Sequence, residues 1–151
     1  MSRIKSTISI EDGAKQTDLV IEAIVENLKI KHSLFTQLDK IAPKYSICFW
    51  KVYLNTFFSL LIYTHSGAIF ASNTSSLSIE EIAKPVVRKD KFGGLHFFNP
   101  VPVMKLLEVI RIPTTSDATF NSLLEFGKSI GKTTVTCKVN SKEFFSIYIF
   151  N

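Results

Sequence analysis

Two residues that flank Pro102, His96 and Glu108, have the side chains that proton abstraction from an alcohol requires. They are equidistant from Pro102, so a hairpin centred there would place them opposite each other on neighbouring strands. A carboxylate on one imidazole nitrogen would fix the tautomer and leave the other nitrogen as a general base. From spacing alone, a core histidine with an unrelated glutamate is the more common arrangement, and both alternatives stay open here.

A polar turn at residues 73–76, which includes Asn73 and Ser75, follows the apolar run Ala68–Ser72. Open α/β sheets bind ligands at the carboxyl ends of their strands, where such hydroxyls and amides can hold a ribose, a carboxamide or a carbonyl. An ordinary turn with a helix cap explains the same residues. Glu26 and Lys31 also follow a predicted strand, and they either face a cofactor or are solvated.

Alternating strands and helices are predicted to position these groups. Strand-length runs lie at Asp18–Ile24, Ala68–Ser72, Gly93–Asn99, Leu106–Ile112 and Lys132–Lys138. Helices are predicted over Asn27–Ala42, over Ser78–Lys84 with Ser78 and Glu81 as a capping box, and from Thr115 or Ser116 to Gly131. This order indicates an α/β fold with a mostly parallel sheet. No GxGxxG or GxxxxGK[ST] motif occurs in the 151 residues, so no phosphate-binding loop is predicted.

The composition is typical of one globular domain, with 46% hydrophobic and 21% charged residues. The net charge of +5 is spread along the chain without a basic run, so an acidic small molecule is expected rather than nucleic acid. Two cysteines without CxxC spacing indicate neither a disulfide scaffold nor a metal site, and a reduced intracellular compartment is expected. The first residues have no apolar stretch typical of a secretory signal and too little arginine for a transit peptide.

Two aromatic-rich segments, Ile47–Gly67 and Val139–Asn151, interrupt this order. The first has no clear period and stands where a short loop would join a helix to a strand, so we expect a peripheral excursion. Its part Ile47–Tyr63 approaches the length of a membrane span, which takes about 20 apolar residues. Lys51 and Asn55 interrupt that stretch, so membrane association is not expected.

Three stretches carry a resemblance to a known family: DLVIEAIVENLKIK, IFASNTSSLSIEEIA and GGLHFFNPVPVMKLLEVI. Together they resemble the NAD-binding domain of short-chain 3-hydroxyacyl-CoA dehydrogenase, through residues 3–46 and 68–138. The stretch HFFNPVPVMKLLEVI is highly specific and favours the monofunctional enzyme over the multifunctional β-oxidation proteins. The resemblance implies a Rossmann-type, mostly parallel sheet.

The resemblance also implies an activity, the oxidation of (S)-3-hydroxyacyl-CoA to 3-oxoacyl-CoA with NAD in fatty-acid β-oxidation. By matching position, the resemblance implies that His96 is the catalytic base and that Glu108 holds it in place. It also implies that Ser75 hydrogen-bonds the substrate beside the nicotinamide. The implied NAD contacts are Glu26, Lys31, Asn73 and Ala23, and Asn99 is implied near the substrate. A mitochondrial matrix or cytoplasmic location is implied as well, and no metal.

Departures from the family pattern lead to a second set of expectations. The first β-α-β unit with its glycine-rich turn, and the C-terminal helical domain that supplies a catalytic Asn and the dimer interface, are expected to be absent. Residues 1–138 are therefore predicted to form a partial NAD-binding domain interrupted at 47–67, and residues 139–151 a non-family tail. GTAAAT could encode Val139-Asn140, which suggests the hypothesis that both odd segments are translated introns. The alternative function is then a non-catalytic truncated or mis-spliced fragment, and the chain alone is predicted not to turn over substrate.

Overall fold

The structure, a computed structural model, describes residues 5–43, 67–138 and 146–148. The strands in the described part of the chain are β1 Leu19–Glu22, β2 Ile69–Ser72, β3 Phe92–Phe97, β4 Leu106–Arg111, β5 Thr133–Lys138 and β6 Ser146–Tyr148. The helices there are α1 Ile10–Ala14, α2 Leu28–Ile41, α3 Ile79–Ile82 and α4 Asp117–Ser129, with one 3₁₀ turn at Lys89–Lys91. Helix α1, the 3₁₀ turn and β6 are additions to the elements that the sequence predicts.

The described strands form one sheet in chain order from β1 to β6. The pairs β1–β2, β2–β3 and β4–β5 are parallel, whereas β3–β4 and β5–β6 are antiparallel. The predicted mostly parallel sheet is therefore confirmed, with a hairpin that reverses its direction after β3. His96 pairs with Glu108 in the register of that hairpin, as their placement about Pro102 predicts.

Side-chain caps set the helix boundaries close to the predicted ones. Asn27 Oδ1 accepts from the second and third N–H groups of α2, Ser78 Oγ accepts from the N–H of Glu81 in α3, and Ser116 Oγ accepts from an N–H of α4. Helix α4 ends before Gly131, whose φ of +76° lies in the left-handed region that glycine adopts without steric cost. Ser78 and Ser116, which the sequence predicts as caps, therefore do cap their helices, and Asn27 is an additional cap.

Helices cover both faces of the sheet. On one face α2 and α3 pack over aromatic strand residues, and Phe35, Phe70, Phe92 and Ile82 are fully buried there. On the other face α4 packs over a smaller core centred on Ala71, Leu95, Leu107, Val109 and Leu123. Full burial of each large apolar side chain contributes about 1.5–3 kcal/mol, so these two cores position the strands that carry the polar groups.

The residues on either side of the Ile47–Gly67 segment meet each other. The carbonyl of Pro43 accepts a hydrogen bond of 3.0 Å from the N–H of Ala68, and it also accepts one of 2.6 Å from Arg88 Nη1. Residues 47–66 lie outside the described part, so the peripheral excursion stays a prediction. No helix among the described residues has the length and apolarity that a membrane crossing requires.

The C-terminal segment 139–151 contributes a strand. Residues 146–148 form β6, which pairs antiparallel with β5 at the edge of the sheet. The intron hypothesis and the domain boundaries stay predictions, but part of this segment extends the same sheet.

Candidate active site

The imidazole of His96 and the carboxylate of Glu108 are hydrogen-bonded across the β3–β4 hairpin. The distance from Nδ1 to Oε2 is 3.0 Å, and the two side chains are 19% and 15% exposed. The histidine ring also contacts the ring of Phe98, with a centroid distance of 4.6 Å. With the carboxylate accepting from Nδ1–H, the lone pair of the ring lies on Nε2. The pair can therefore present a neutral general base to a ligand at the surface of the sheet.

A third side chain, Cys137 of β5, completes this cluster. Its Sγ lies 2.7 Å from Glu108 Oε1, and the residue is fully buried. Burial, the hydrogen bond to Glu108 and the negative charge of its carboxylate together raise the pKa of the Cys137 thiol to about 12, and burial is the largest of the three causes. The sequence analysis missed this residue. Alternation along β5 was the available signal, since it places Cys137 and Val135 on one face and Val135 pairs with Glu108.

Glu26 joins the loop after β1 to the loop after β2. Its carboxylate accepts hydrogen bonds from the hydroxyl of Thr74 at 2.9 Å and from the backbone N–H of Ser75 at 3.0 Å. Burial opposes ionisation of Glu26, but these hydrogen bonds and the positive charge of Lys31 outweigh it, so its pKa is lowered. The predicted residues Glu26 and Ser75 therefore meet at the carboxyl edge of the parallel strands, together with Thr74 of the same polar turn.

Asn73, Ala23 and Asn99 have different positions around the same edge. Asn73 Oδ1 accepts from the backbone N–H of Phe97 at 2.9 Å, so it ties the turn after β2 to the end of β3, next to His96. Ala23 is exposed directly after β1, and Asn99 is exposed in the turn between β3 and β4. Their predicted contacts with cofactor and substrate stay predictions.

Lys31 is neither exposed nor solvated, so the solvated alternative is wrong for this residue. Its side chain is fully buried and its ammonium lies 2.6 Å from Glu22 Oε1, which is also fully buried. Glu22 accepts as well from the Ser72 hydroxyl at 2.6 Å and from the Ile24 N–H at 2.7 Å. Buried charges persist in proteins when they are paired and hydrogen-bonded, which is the arrangement here. The sequence analysis missed Glu22 and Ser72, and contact of Lys31 with NAD stays a prediction.

An α/β sheet with polar side chains beside the carboxyl ends of its parallel strands has the architecture of a Rossmann-type nucleotide-binding domain. The family model described as 3-hydroxyacyl-CoA dehydrogenase, NAD binding domain, matches residues 1–49 and 51–140, and the chain belongs to this family.

Relatives and solved structures agree with that assignment. The chain is 52% identical to the mouse and 48% identical to the human mitochondrial hydroxyacyl-coenzyme A dehydrogenase over 138 residues. These matches cover 91% of the chain but only 37% of each relative. The crystal structure of (S)-3-hydroxybutyryl-CoA dehydrogenase from Ralstonia eutropha is similar with a TM-score of 0.73 and 39% identity, covering 91% of this chain and 41% of that one.

The described residues fit one half of a dinucleotide better than the other. At the carboxyl edge, exposed Ala23, Val25 and Ser75 offer small, apolar and hydroxyl groups suited to a nicotinamide and its ribose. A pyrophosphate requires free N–H groups at a helix N-terminus. In the described ranges, however, each of the four α-helices has its N-terminus capped by its own Ser or Asn side chain.

Proposed function

We propose that this chain supplies the proton-transfer part of a 3-hydroxyacyl-CoA dehydrogenase site. The observation that carries the proposal is the hydrogen bond of 3.0 Å between His96 Nδ1 and Glu108 Oε2. It leaves Nε2 as the base, and the partly exposed ring lies at the edge where parallel α/β sheets bind ligands. Family membership supports (S)-3-hydroxyacyl-CoA as the substrate and NAD as the cofactor.

In the proposed reaction, Nε2 of His96 takes the proton of the substrate's 3-hydroxyl group. When bound, NAD would supply the acceptor for the hydride that leaves carbon 3 of the substrate, and the product would be a 3-oxoacyl-CoA. The imidazolium that forms is stabilised by the carboxylate of Glu108, which lies 3.0 Å from Nδ1. We propose that the hydroxyl of Ser75 hydrogen-bonds the reacting oxygen and so orients the substrate toward the base.

The cofactor contacts that we propose lie along the carboxyl edge. Ala23 and Glu26 follow β1, and Asn73 and Ser75 follow β2, so the four residues come from two adjacent loops. Glu26 reaches Ser75 directly, which holds the two loops at a fixed separation. Lys31 acts on the cofactor indirectly in this proposal, because its charge lowers the pKa of Glu26 and so keeps that side chain ionised.

We also propose a mitochondrial location and a role in fatty-acid oxidation. The support is that similar proteins of human and mouse are named mitochondrial. The fatty acid oxidation complex subunit alpha of Idiomarina loihiensis is a further relative, at 36% identity over 138 residues. Dimer formation is proposed only as a property of the full-length relatives.

A chimera tests whether the site is catalytically competent. Residues 5–43 and 67–138 of this chain would replace the matching segment of the mouse enzyme, and NADH consumption with acetoacetyl-CoA would be followed by absorbance. We expect turnover, and we expect His96→Ala to lower kcat by about 10²- to 10⁴-fold, because removal of a general base has that cost. His32→Gln is the matched control, since its ring bonds to the carbonyl of Glu81 and lies outside the proposed site. A folded chimera without activity, or one whose kcat is unchanged by His96→Ala, would contradict the proposal.

The 151-residue chain alone should bind NAD weakly and show no measurable turnover. Its sequence contains no GxGxxG or GxxxxGK[ST] motif, and in the described ranges each α-helix N-terminus is already capped by its own Ser or Asn side chain. Calorimetry with NAD and the same absorbance assay would check this expectation. Turnover by the isolated chain that is lost in His96→Ala would overturn it and would exclude the alternative of a non-catalytic fragment.

A further inference from the structure

Three neighbouring strands each contribute one side chain to the cluster around Glu108. His96 comes from β3, Glu108 from β4 and Cys137 from β5. Glu108 is central because each of its carboxylate oxygens has a different partner. Oε2 lies 3.0 Å from His96 Nδ1, and Oε1 lies 2.7 Å from Cys137 Sγ.

We propose that Cys137 is a positioning residue for the general base, because its protonated thiol donates to Oε1 and keeps Oε2 directed at His96. The inference rests on the function proposed above. A carboxylate with a donor on only one oxygen can turn away from that donor, whereas donors on both oxygens fix its orientation. The orientation of Glu108 in turn determines which ring nitrogen of His96 carries the proton.

The surroundings keep the thiol in the donor form. Cys137 is fully buried against the apolar core that includes Phe92 and Ile110. Burial and the adjacent carboxylate raise its pKa to about 12, so the sulfur retains its proton at any physiological pH.

A purely structural role for Cys137 is the competing explanation, since a free cysteine is among the residues most often buried. The two roles differ in what happens to the histidine ring. Loss of packing alone lowers stability and leaves the tautomer unchanged. Loss of the donor redistributes the proton between Nδ1 and Nε2.

Nitrogen NMR of the histidine rings in the full 151-residue chain tests the proposal without any need for turnover. We expect one tautomer of His96, protonated on Nδ1, in the wild type and in Cys137→Ser, which keeps a donor. In Cys137→Ala we expect a mixture of the two His96 tautomers, similar to that in Glu108→Gln. Comparison with the spectrum of His96→Ala assigns the His96 signals. A wild-type tautomer pattern in Cys137→Ala, or a mixture that Cys137→Ser does not restore, overturns the proposal.

The S–H stretching band in Raman spectra is a second readout that keeps Cys137 itself in place. A Cys48→Ser background leaves Cys137 as the only cysteine of the chain. The band should lie at lower frequency than that of a free thiol, and Glu108→Gln should move it upward. A band whose frequency is the same in Glu108→Gln would show that the thiol does not donate to this carboxylate.

The chimera separates this inference from the proposed function. In an active chimera, Cys137→Ala should lower kcat by about tenfold with little change in KM, the cost of one hydrogen bond to a charged group, and Cys137→Ser should restore most of it. An inactive chimera, together with a tautomer shift in the chain, would refute the function and leave the positioning role intact. An active chimera without a tautomer shift would refute the positioning role alone.

Discussion

Glu22 and Glu108 are two carboxylates on the same face of one sheet, and their surroundings differ. Glu22 pairs with Ser72, Ser72 pairs with Gly94, and Gly94 pairs with Ile110. Glu108 lies two residues from Ile110, on the same side of its strand. The carboxylate of Glu22 is fully buried against the ammonium of Lys31. Glu108 instead has the imidazole of His96 and a thiol as partners, and its side chain is 15% exposed.

The difference separates a structural ion pair from a group suited to proton transfer. A buried carboxylate that faces a buried ammonium cannot give up its charge without leaving the ammonium unpaired. A carboxylate between two neutral donors can stabilise a positive charge that appears on the imidazole during a reaction, and the partly exposed ring can reach a ligand. The partner and the access to solvent therefore decide the role of each carboxylate.

The largest predicted effect concerns the buried ion pair. Lys31→Met should lower the free energy of unfolding by about 3–5 kcal/mol, because it leaves Glu22 as an uncompensated buried charge. Urea denaturation followed by circular dichroism measures this change. Lys29→Met on the same helix is the matched control, because Lys29 is exposed and should cost less than about 0.5 kcal/mol.

A double substitution sharpens that prediction. Glu22→Gln together with Lys31→Met removes both charges, so it should recover a large part of the stability lost in Lys31→Met alone. A double variant no more stable than the single one would show that packing around Lys31, and not the unpaired charge, is responsible.

An intermediate effect is predicted at Gly94, which separates the two carboxylates in the sheet. A Cβ added there would lie 2.9 Å from Ile110 Cβ and 2.9 Å from Ile79 Cδ1, which is too close for either to remain in place. Gly94→Ala should therefore lower the free energy of unfolding by about 1–3 kcal/mol, measured by urea denaturation. Gly13→Ala is the control, since its nearest contact would be an ordinary 3.6 Å and alanine favours the helix. Equal stability of the two variants would contradict the close packing of α3 on β3.

A further predicted effect is a loss of stability at alkaline pH that depends on Cys137. The pKa of this thiol is raised from 9.0 to about 12 in the folded chain, so the folded state holds the proton more tightly than the unfolded state. The contribution of this bound proton to the free energy of unfolding is complete below pH 9. It is lost as the pH rises from 9 toward 12, at a rate of at most about 1.4 kcal/mol per pH unit. Because other groups titrate in this range, the measurement is the difference in unfolding free energy between wild type and Cys137→Ser. A constant difference between pH 8 and about 10.5 would contradict the raised pKa.

Much of the local structure was predictable from neighbouring residues. The helix over Leu28–Ile41 follows from apolar spacing with Asn27 as its cap, and the register of His96 with Glu108 follows from their placement about Pro102. Hairpins and capped helices are formed by residues close in sequence, so short patterns specify them. The family resemblance assigned a role to the histidine pair that spacing alone left open.

What the sequence determined by itself was five of the described strands, three of the described helices and the placement of His96 opposite Glu108. The tertiary structure decided that Lys31 is buried against Glu22 and that Cys137 donates to Glu108. Burial of Lys31 depends on how α2 packs over the sheet, and the position of Cys137 depends on the parallel pairing of β4 with β5 after the α4 crossover. Both contacts join residues whose proximity is set by the packing of whole elements, and no local pattern of residue types contains that information.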